Sequence, residues 1–337
     1  MALKPVTEEF IDELKLGLSP EAVLAVPDDY LSEPRSRWRG ISSVLVLPQN
    51  VNEVSTVVGL ANARNIPIIP YGGGTGLVGG QIQDKGPSGI LLSLERMNEI
   101  RSLNLDENVI TVESGVILSN LRDAAEEAKR IFPLSLASEG TAQIGGNLAT
   151  NAGGVNVLRY GSTRNLCLGL EVVFADGSIW NGLSRLHKDN TGYDLKNLII
   201  GSEGTLGIIT AATMKLFPKP LEHTVALIAV KSPKDALRLL SETKDYFGET
   251  ISAFELINKM GIDFFKEAKV EVKIPFSKIP EWMVLLDIGH PGRNSAAKHS
   301  NDYFENILSS GLAVDGVLAE NKGQQNDLWA LRENIPE

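Results

Sequence analysis

The feature that most restricts how this chain can fold is a glycine-dense segment directly after an apolar strand predicted at residues 66–69. Glycine permits positive φ, and without a Cβ it lets another molecule approach the backbone, so N–H groups can converge on phosphate oxygens. We therefore interpret the segment as a pyrophosphate cradle; a plain flexible turn is the alternative. The segment reads Pro70, Tyr71, Gly72, Gly73, Gly74, Thr75, Gly76, Leu77, Val78, Gly79 and Gly80.

The same segment contains a literal dinucleotide-binding fingerprint, Gly74-x-Gly76-x-x-Gly79, with Glu95 at about the expected distance downstream. That fingerprint requires its last glycine to lie in a helix that packs on the sheet. Residues 80–87 have no helical apolar face, so we reject the Rossmann interpretation. We expect phosphate binding without the helix, and an NAD acceptor is disfavoured.

Two further segments, residues 138–154 and 201–209, are rich in glycine and other small residues. Asn147, Thr150 and Asn151 can donate hydrogen bonds, and the glycines and alanines leave room for a flat ring system against the backbone. A buried packing surface of small residues is the alternative for the first of them. Three such loops in one domain favour a large, extended cofactor.

Composition excludes several classes of protein. With 32 Lys+Arg against 42 Asp+Glu the net charge is −10, which argues against nucleic-acid binding, and 43% hydrophobic residues argue against disorder. Cys167 has no disulfide partner, and the four histidines lack paired metal-ligand spacing; we expect His290 and His299 to be surface residues. The first residues lack a continuous apolar region, so a cytoplasmic location is expected.

Short strands and helices alternate up to Pro218-Lys219-Pro220, which predicts a domain boundary because closely spaced prolines resist helix and central strand. Strands are expected at 206–210 and 214–217 before it, and the Asp176-Gly177 pair predicts a hairpin turn. After it, Ser232 and Pro233 predict a helix start. Strands and helices follow there in the order β-α-β-β-α-β, a ferredoxin-like arrangement, with one more helix at 326–334. The predicted domains are an N-terminal helical segment (1–36), a first domain (37–218) and a second domain (219–337).

Residues 70–80, 144–154, 158–162, 188–195 and 201–209 together resemble the signature of FAD-linked oxidoreductases of the vanillyl-alcohol oxidase superfamily. The most similar branch is the D-2-hydroxyacid dehydrogenases, and the resemblance covers about residues 37–332. It implies an α+β fold: a PCMH-type FAD-binding domain of two α/β subdomains, followed by an incomplete ferredoxin-like cap domain.

The resemblance also implies which residues bind FAD. Relatives with covalent FAD often carry a histidine in the first loop, whereas no histidine precedes His187 here, so non-covalent FAD is expected. The implied FAD-binding residues are Pro70, Tyr71, Gly72, Gly73, Gly74, Thr75, Gly76, Leu77, Gly79, Gly80, Ser138, Glu139, Gly140, Thr141, Ile144, Gly145, Gly146, Asn147, Ala149, Thr150, Asn151, Gly153, Gly154, Tyr160, Gly161, Glu203, Gly204, Ile208 and Ile209.

The implied activity is hydride transfer from a D-2-hydroxy acid (D-lactate, D-2-hydroxyglutarate or glycolate) to flavin N5, with electrons passed to an electron-transfer protein or a quinone. Arg332 matches the substrate-carboxylate arginine of the family, and its guanidinium suits a carboxylate. The alternative is a solvated helix arginine paired with a neighbouring glutamate. Pro336 stands where hydroxyglutarate-type relatives carry a substrate-binding threonine, which weakens an assignment to hydroxyglutarate.

Family members continue into a histidine-rich loop and a later acidic residue, which supply ligands for a divalent metal (zinc or manganese) and the proton acceptor. This chain contains neither, so we expect no metal ligands in it. The second hypothesis is accordingly an FAD-binding fragment or subunit that is inactive without a partner or the missing metal loop. A flavoenzyme with another substrate, such as a sugar-nucleotide reductase, comes third. A homodimer or association with further subunits is expected, with peripheral membrane contact through the electron acceptor.

Overall fold

The computed structural model describes residues 2–292 and 296–335. Its helices are α1 (Glu8–Gly17), α2 (Val51–Arg64), α3 (Leu118–Glu127), α4 (Ile144–Ala149), α5 (Val157–Tyr160), α6 (Thr163–Leu166), α7 (Leu195–Ile199), α8 (Pro233–Phe247), α9 (Lys259–Ala268), α10 (Ala296–Ser309) and α11 (Lys322–Glu333). Its strands are β1 (Val23–Leu24), β2 (Val44–Val46), β3 (Ile68–Tyr71), β4 (Ile90–Ser93), β5 (Ile100–Asn104), β6 (Val109–Glu113), β7 (Arg130–Ile131), β8 (Cys167–Val173), β9 (Ile179–Gly182), β10 (Ile208–Lys215), β11 (Phe217–Pro218), β12 (Glu222–Val230), β13 (Ile251–Asn258), β14 (Trp282–His290) and β15 (Asp315–Leu318).

The chain divides into two compact units. The first comprises Met1–Ala152 and Ser162–Pro218, and the second comprises Gly153–Gly161 and Lys219–Glu337. Within the described ranges, no helix is both long and apolar enough to cross a membrane. The boundaries of the three domains predicted from the sequence, 1–36, 37–218 and 219–337, remain predictions.

The first sheet of the first unit has the strand order β1-β2-β4-β3, in which β2, β4 and β3 run parallel. Helix α2 begins where the Asn50 side chain accepts a hydrogen bond from the Glu53 backbone, and its buried face packs on this sheet. Phe10 and Leu14 of the N-terminal segment are buried in the same core. The parallel strands therefore end at a common edge, where the glycine-dense segment begins.

The second sheet of the first unit is antiparallel, with the order β5-β6-β10-β8-β9. The Asp176-Gly177 turn predicted between β8 and β9 is confirmed, and Gly177 adopts a φ of +85°. Two strands were expected at 206–210 and 214–217, which is wrong for most of this stretch: Ile208–Lys215 is one strand. The pairing of this strand with β8 shifts register at two points, beside Ala211 and beside Met214, and the strand continues through both irregularities.

In the second unit, one antiparallel sheet has the order β13-β14-β12-β15. This order, with helices α8 and α10 as the crossovers, confirms the ferredoxin-like prediction. Helix α8 begins as predicted, since Ser232 caps it and Pro233 occupies its first position. Helix α9 was not predicted, and α11 begins earlier than expected because Asn321 caps it. Its buried residues Leu328 and Leu331 pack on the sheet.

Candidate functional site

An open cleft in the first unit lies where β3 and β4 end, beside β6 and β10. Its empty volume, open mouth included, is about 1050 Å³. The lining residues are Pro70, Tyr71, Gly72, Gly73, Gly74, Thr75, Gly76, Val78, Gly80, Gln81, Leu92, Leu94, Ser114, Ala142, Gln143, Gly145, Gly146, Asn147, Ala149, Thr150, Glu203, Gly204, Gly207, Ile208 and Ile209.

The first loop of the cleft leaves the end of β3 and contains the consecutive residues Gly73, Gly74, Thr75 and Gly76. A Cβ on Gly73 would overlap the Thr141 carbonyl, and Gly74 has a φ of +70°. In the described part of the chain, the backbone N–H groups of these four residues donate to no protein acceptor. A run of unpaired N–H groups at the rim of a cleft is suited to an anion such as a phosphate.

Gln81 fixes the shape of the first loop. Its side-chain Nε2 donates to the Gly76 carbonyl at 2.8 Å and to the Gly74 carbonyl at 3.3 Å. The loop carbonyls are thereby turned toward Gln81. Sequence reasoning missed this residue because a glutamine in a polar segment carries no pattern of its own.

The second segment of the cleft, predicted to be a loop, contains the short helix α4. Gly145 and Gly146 disfavour a helix, so tertiary contacts hold it: the Gly145 N–H donates to the Ser114 carbonyl at 2.8 Å. A Cβ on Gly145 would stand 2.7 Å from the Ser114 Cβ. The strand end at Ser114 thus determines where α4 lies.

Two buried side-chain acceptors beside this helix have no hydrogen-bond partner among the residues that the structure describes. They are Gln143 Oε1, at the start of α4, and Asn147 Oδ1, in its second half. A buried polar atom without a partner is costly and is rare in native proteins. Because both residues line the cleft, their acceptors indicate a ligand that donates hydrogen bonds there.

The third loop, residues 201–207, joins the first two. The Glu203 N–H donates to the Ala149 carbonyl at 2.9 Å, which ties the loop to α4. Gly204 has a φ of +76°, and a Cβ there would lie 2.7 Å from Pro70 Cγ. The three small-residue segments therefore form one surface, and among the described lining residues Glu203 is the only charged side chain.

Most of the predicted FAD-binding residues line this cleft. The predicted residues in the lining are Pro70, Tyr71, Gly72, Gly73, Gly74, Thr75, Gly76, Gly80, Gly145, Gly146, Asn147, Ala149, Thr150, Glu203, Gly204, Ile208 and Ile209. Those of the first unit outside it are Leu77, Gly79, Ser138, Glu139, Gly140, Thr141, Ile144 and Asn151.

Packing explains several of the predicted residues that do not line the cleft. Ile144 is a buried core residue, Glu139 forms an ion pair with Arg122, and Asn151 Oδ1 accepts from the Ser162 hydroxyl and the Arg164 N–H. The lining residues that the prediction left out are Val78, Gln81, Leu92, Leu94, Ser114, Ala142, Gln143 and Gly207. Most of them lie within or beside the segments that the sequence singled out, so including every residue of those segments and their immediate neighbours would have identified them.

The remaining predicted site residues, Gly153, Gly154, Tyr160, Gly161 and Arg332, belong to the second unit. Burial raises the pKa of the Tyr160 hydroxyl, and Arg159 lies 5.0 Å from the centre of its ring. Arg332, about one third exposed, donates from Nε to Glu255 Oε2 at 2.8 Å. Its acidic partner is thus on β13, so the alternative of a solvated arginine paired with its helix neighbour does not describe it.

Among residues 2–292 and 296–335, no three His, Cys, Asp or Glu side chains are grouped to hold a metal ion. His299 is exposed. The expectation that His290 is a surface residue is wrong: it is 9% exposed, and its Nε2 lies 2.9 Å from the Thr224 hydroxyl. Pairing of β12 with β14 carries His290 into the sheet. Pro336 lies outside the described residues.

The cleft fits FAD on three observations. It offers unpaired backbone N–H groups for phosphate oxygens, unpaired buried acceptors for donors on the cofactor, and Cβ-free surfaces on which a ring can lie. The segment after the first loop, residues 80–87, contains no helix, in agreement with the rejected Rossmann motif.

Comparison with known proteins agrees with this geometry. Residues 42–182 match the FAD binding domain family, and residues 219–337 match the family described as FAD linked oxidases, C-terminal domain. The chain is 39% identical over 326 residues to the mitochondrial D-2-hydroxyglutarate dehydrogenase of Bos taurus, covering 94% of this chain and 58% of that protein. It is 30% identical to the D-2-hydroxyglutarate–pyruvate transhydrogenase of Saccharomyces cerevisiae, covering 96% and 64%. The chain therefore spans less than two thirds of the length of either relative.

Solved structures share the fold at low sequence identity. A p-cresol methylhydroxylase aligns with a TM-score of 0.77 at 18% identity, covering 99% of this chain and 73% of that one. An alkyldihydroxyacetonephosphate synthase aligns with a TM-score of 0.75 at 20% identity, covering 99% and 64%. The resemblance and the fold class stated from the sequence are thus confirmed: the chain combines an FAD binding domain with the C-terminal domain of FAD linked oxidases.

Proposed function

We propose that this chain binds FAD non-covalently in the three-loop cleft and oxidises a D-2-hydroxy acid to the 2-oxo acid, with electrons passed to an acceptor other than NAD. The observation that carries the proposal is the coincidence of unpaired N–H groups and unpaired buried acceptors in one cleft of an FAD-binding domain. The names of the relatives supply the substrate class.

The residues of the cleft have distinct tasks in this proposal. The N–H groups of residues 73–76 receive phosphate oxygens, and because no lysine or arginine is among the described lining residues, backbone dipoles supply the favourable charge. Gln143 Oε1 and Asn147 Oδ1 accept hydrogen bonds from the cofactor. Leu92, Leu94 and Ile208 supply apolar surface that keeps water from the ring. FAD, when bound, supplies the two-electron oxidant for hydride removal.

Arg332 binds the carboxylate of the substrate in this proposal. With Nε bound to Glu255, the two terminal nitrogens of its guanidinium have no protein partner in the described part of the chain. They form the edge that engages a carboxylate with two parallel hydrogen bonds. This contact involves only the carboxylate, which D-lactate, D-2-hydroxyglutarate and glycolate share.

The described residues do not provide a site for the divalent metal that the family resemblance implies. The proposed oxidation therefore includes no metal-dependent step and no assigned proton acceptor. The electron acceptor we propose is an electron-transfer protein or a quinone. The relatives are named as mitochondrial proteins, which does not fit the cytoplasmic location expected from the sequence.

Anaerobic bleaching of the flavin absorbance tests the proposal. The FAD-loaded chain is mixed with D-lactate, D-2-hydroxyglutarate or glycolate, each with and without added zinc or manganese, and the L-enantiomers of the first two serve as controls. Bleaching by one D-acid supports the proposed oxidation and identifies its substrate. Firmly bound FAD without bleaching favours the second candidate, an FAD-binding fragment or subunit that is inactive without a partner or the missing metal loop.

Non-covalent attachment is tested separately. The loaded protein is denatured and filtered, and the absorbance of both fractions is recorded. We expect the yellow colour to pass the filter; colour that stays with the protein contradicts this part of the proposal.

A further inference from the structure

Within the described residues, the Arg332 guanidinium makes one side-chain contact, with Glu255. Nε of Arg332 donates to Glu255 Oε2 at 2.8 Å, and the side chains are 31% and 26% exposed. Exposed ion pairs contribute little to stability, whereas a partly buried pair with a short hydrogen bond fixes a side-chain orientation. The contact joins α11 to β13, elements that lie 77 positions apart at this point.

Strand register places Glu255 on the face of the sheet that α11 covers. Glu255 lies opposite Leu285, and directly opposite residues of an antiparallel pair share a face. Leu285 is buried in the same core as Leu328 and Leu331 of α11. Glu255 therefore contacts Arg332 from its regular position in the strand pairing.

A second polar contact holds α11 one helical turn away from Arg332. Trp329 donates from Nε1 to Asp287 Oδ2 at 3.2 Å, and Asp287 is 8% exposed. With the helix anchored by Trp329 and by its buried leucines, the direction of the Arg332 side chain depends on its own contact with Glu255.

The chain itself shows how one guanidinium serves two carboxylates. Arg101 donates from Nε and Nη2 to Glu113 and from Nη1 and Nη2 to Glu171, at 3.1 to 3.3 Å. Arg332 has only an Nε contact of this kind, because its two terminal nitrogens have no partner in the described residues. The unused edge is the one that a second carboxylate occupies at Arg101.

We propose that Glu255 is the positioning residue of Arg332: by holding Nε, it presents the Nη1–Nη2 edge to the carboxylate of the 2-hydroxy acid. This inference rests on the proposed function. Glu255 does not touch the substrate in this arrangement. It determines the direction of the arginine and lowers the entropy cost of ordering it on binding.

The experiment measures binding of pyruvate and of 2-oxoglutarate, as 2-oxo acid probes, to the FAD-loaded chain by titration calorimetry, so turnover is not needed. Glu255→Ala removes the contact, and we expect the Kd of the bound probe to rise about tenfold, the value of one charge-assisted hydrogen bond. Glu255→Gln keeps an oxygen acceptor for Nε, and we expect its Kd to stay within about threefold of the unmodified protein. Retained FAD and an unchanged melting temperature identify folded variants.

Two controls complete the design. Asp327→Ala removes an acidic residue of α11 that forms an ion pair with Lys273 at 2.8 Å, and this variant is expected to leave the Kd unchanged. Arg332→Met is expected to abolish binding. A Glu255→Ala protein that binds the probe as tightly as the unmodified chain, while Arg332→Met does not bind, overturns this inference and leaves the proposed function standing. Failure of the unmodified FAD-loaded chain to bind either probe, or normal binding by Arg332→Met, overturns the proposed carboxylate site and this inference with it.

Discussion

Gly73 and Thr141 approach so closely that a Cβ on the glycine would overlap the carbonyl oxygen of the threonine. The contact joins the loop that follows β3 to the segment that precedes α4. Glycine at this position is therefore required by packing between two parts of the protein, in addition to any role in admitting a ligand. The shape of the cleft depends on that contact.

Gly73→Ala is expected to weaken FAD binding at least about tenfold and to lower the unfolding free energy by about 1–3 kcal/mol, because backbone must move to admit the methyl group. FAD content after dialysis and urea unfolding measure the two effects. Gly59→Ala is the matched control: a Cβ there meets nothing within 4 Å, and alanine favours helix α2. Full FAD content in Gly73→Ala contradicts the assignment of this loop.

Gln143→Leu is expected to change FAD affinity and apoprotein stability in opposite directions. The buried Oε1 has no partner, so its removal stabilises the FAD-free protein by about 1 kcal/mol. If FAD donates to this acceptor, the same change raises the Kd for FAD about tenfold. Fluorescence titration and thermal unfolding of the apoprotein provide the two values. A leucine at the exposed Gln49 controls for surface effects, and unchanged FAD affinity in Gln143→Leu means that the acceptor faces another partner.

Arg101→Met is expected to destabilise the first unit by about 3 kcal/mol, because it leaves two buried carboxylates, Glu113 and Glu171, without their cation. Glu171 also accepts from the Thr210 hydroxyl at 2.9 Å, so the network joins β5, β6, β8 and β10. Urea unfolding at pH 7 measures the loss, and an unchanged unfolding free energy contradicts the charge explanation.

Stability of the second unit should fall on acidification partly through His290. Burial lowers the pKa of this histidine. Smaller charge effects act in both directions: Glu222 and Asp287 raise the pKa, whereas His223 and Arg159 lower it. Because the folded pKa lies below the unfolded value of about 6.5, the unfolded chain takes up the proton first. The contribution is complete above about pH 6.5 and is lost as the pH falls through the folded pKa.

The measurement compares urea unfolding of the unmodified chain and of His290→Gln at pH 7.5 and pH 5.5. The difference in stability between the two pH values should be smaller in the variant. An identical pH dependence in both proteins means that His290 remains neutral or is protonated equally in the folded and unfolded states.

Local sequence determined the elements that depend on neighbouring residues. The cap at Ser232 with Pro233 predicted the start of α8, and the Asp176-Gly177 pair predicted the turn before β9, because capping and positive φ are properties of a few adjacent residues. The glycine-dense segments likewise indicated the cleft. Their composition restricts the backbone wherever they lie, so the residues could be named before the fold was known.

Only the tertiary structure decided which groups meet. Helix α4 forms across Gly145 because Ser114 holds it, and Gln81 braces the first loop through carbonyls that no sequence pattern marks. The sequence resemblance predicts a carboxylate-binding role for Arg332, but it does not indicate the partner Glu255, which lies on a strand 77 positions away. Hydrogen bonds and ion pairs of this kind depend on distances in space, which local propensity does not specify, whereas caps, turns and glycine loops depend on chain neighbours and are written directly in the sequence.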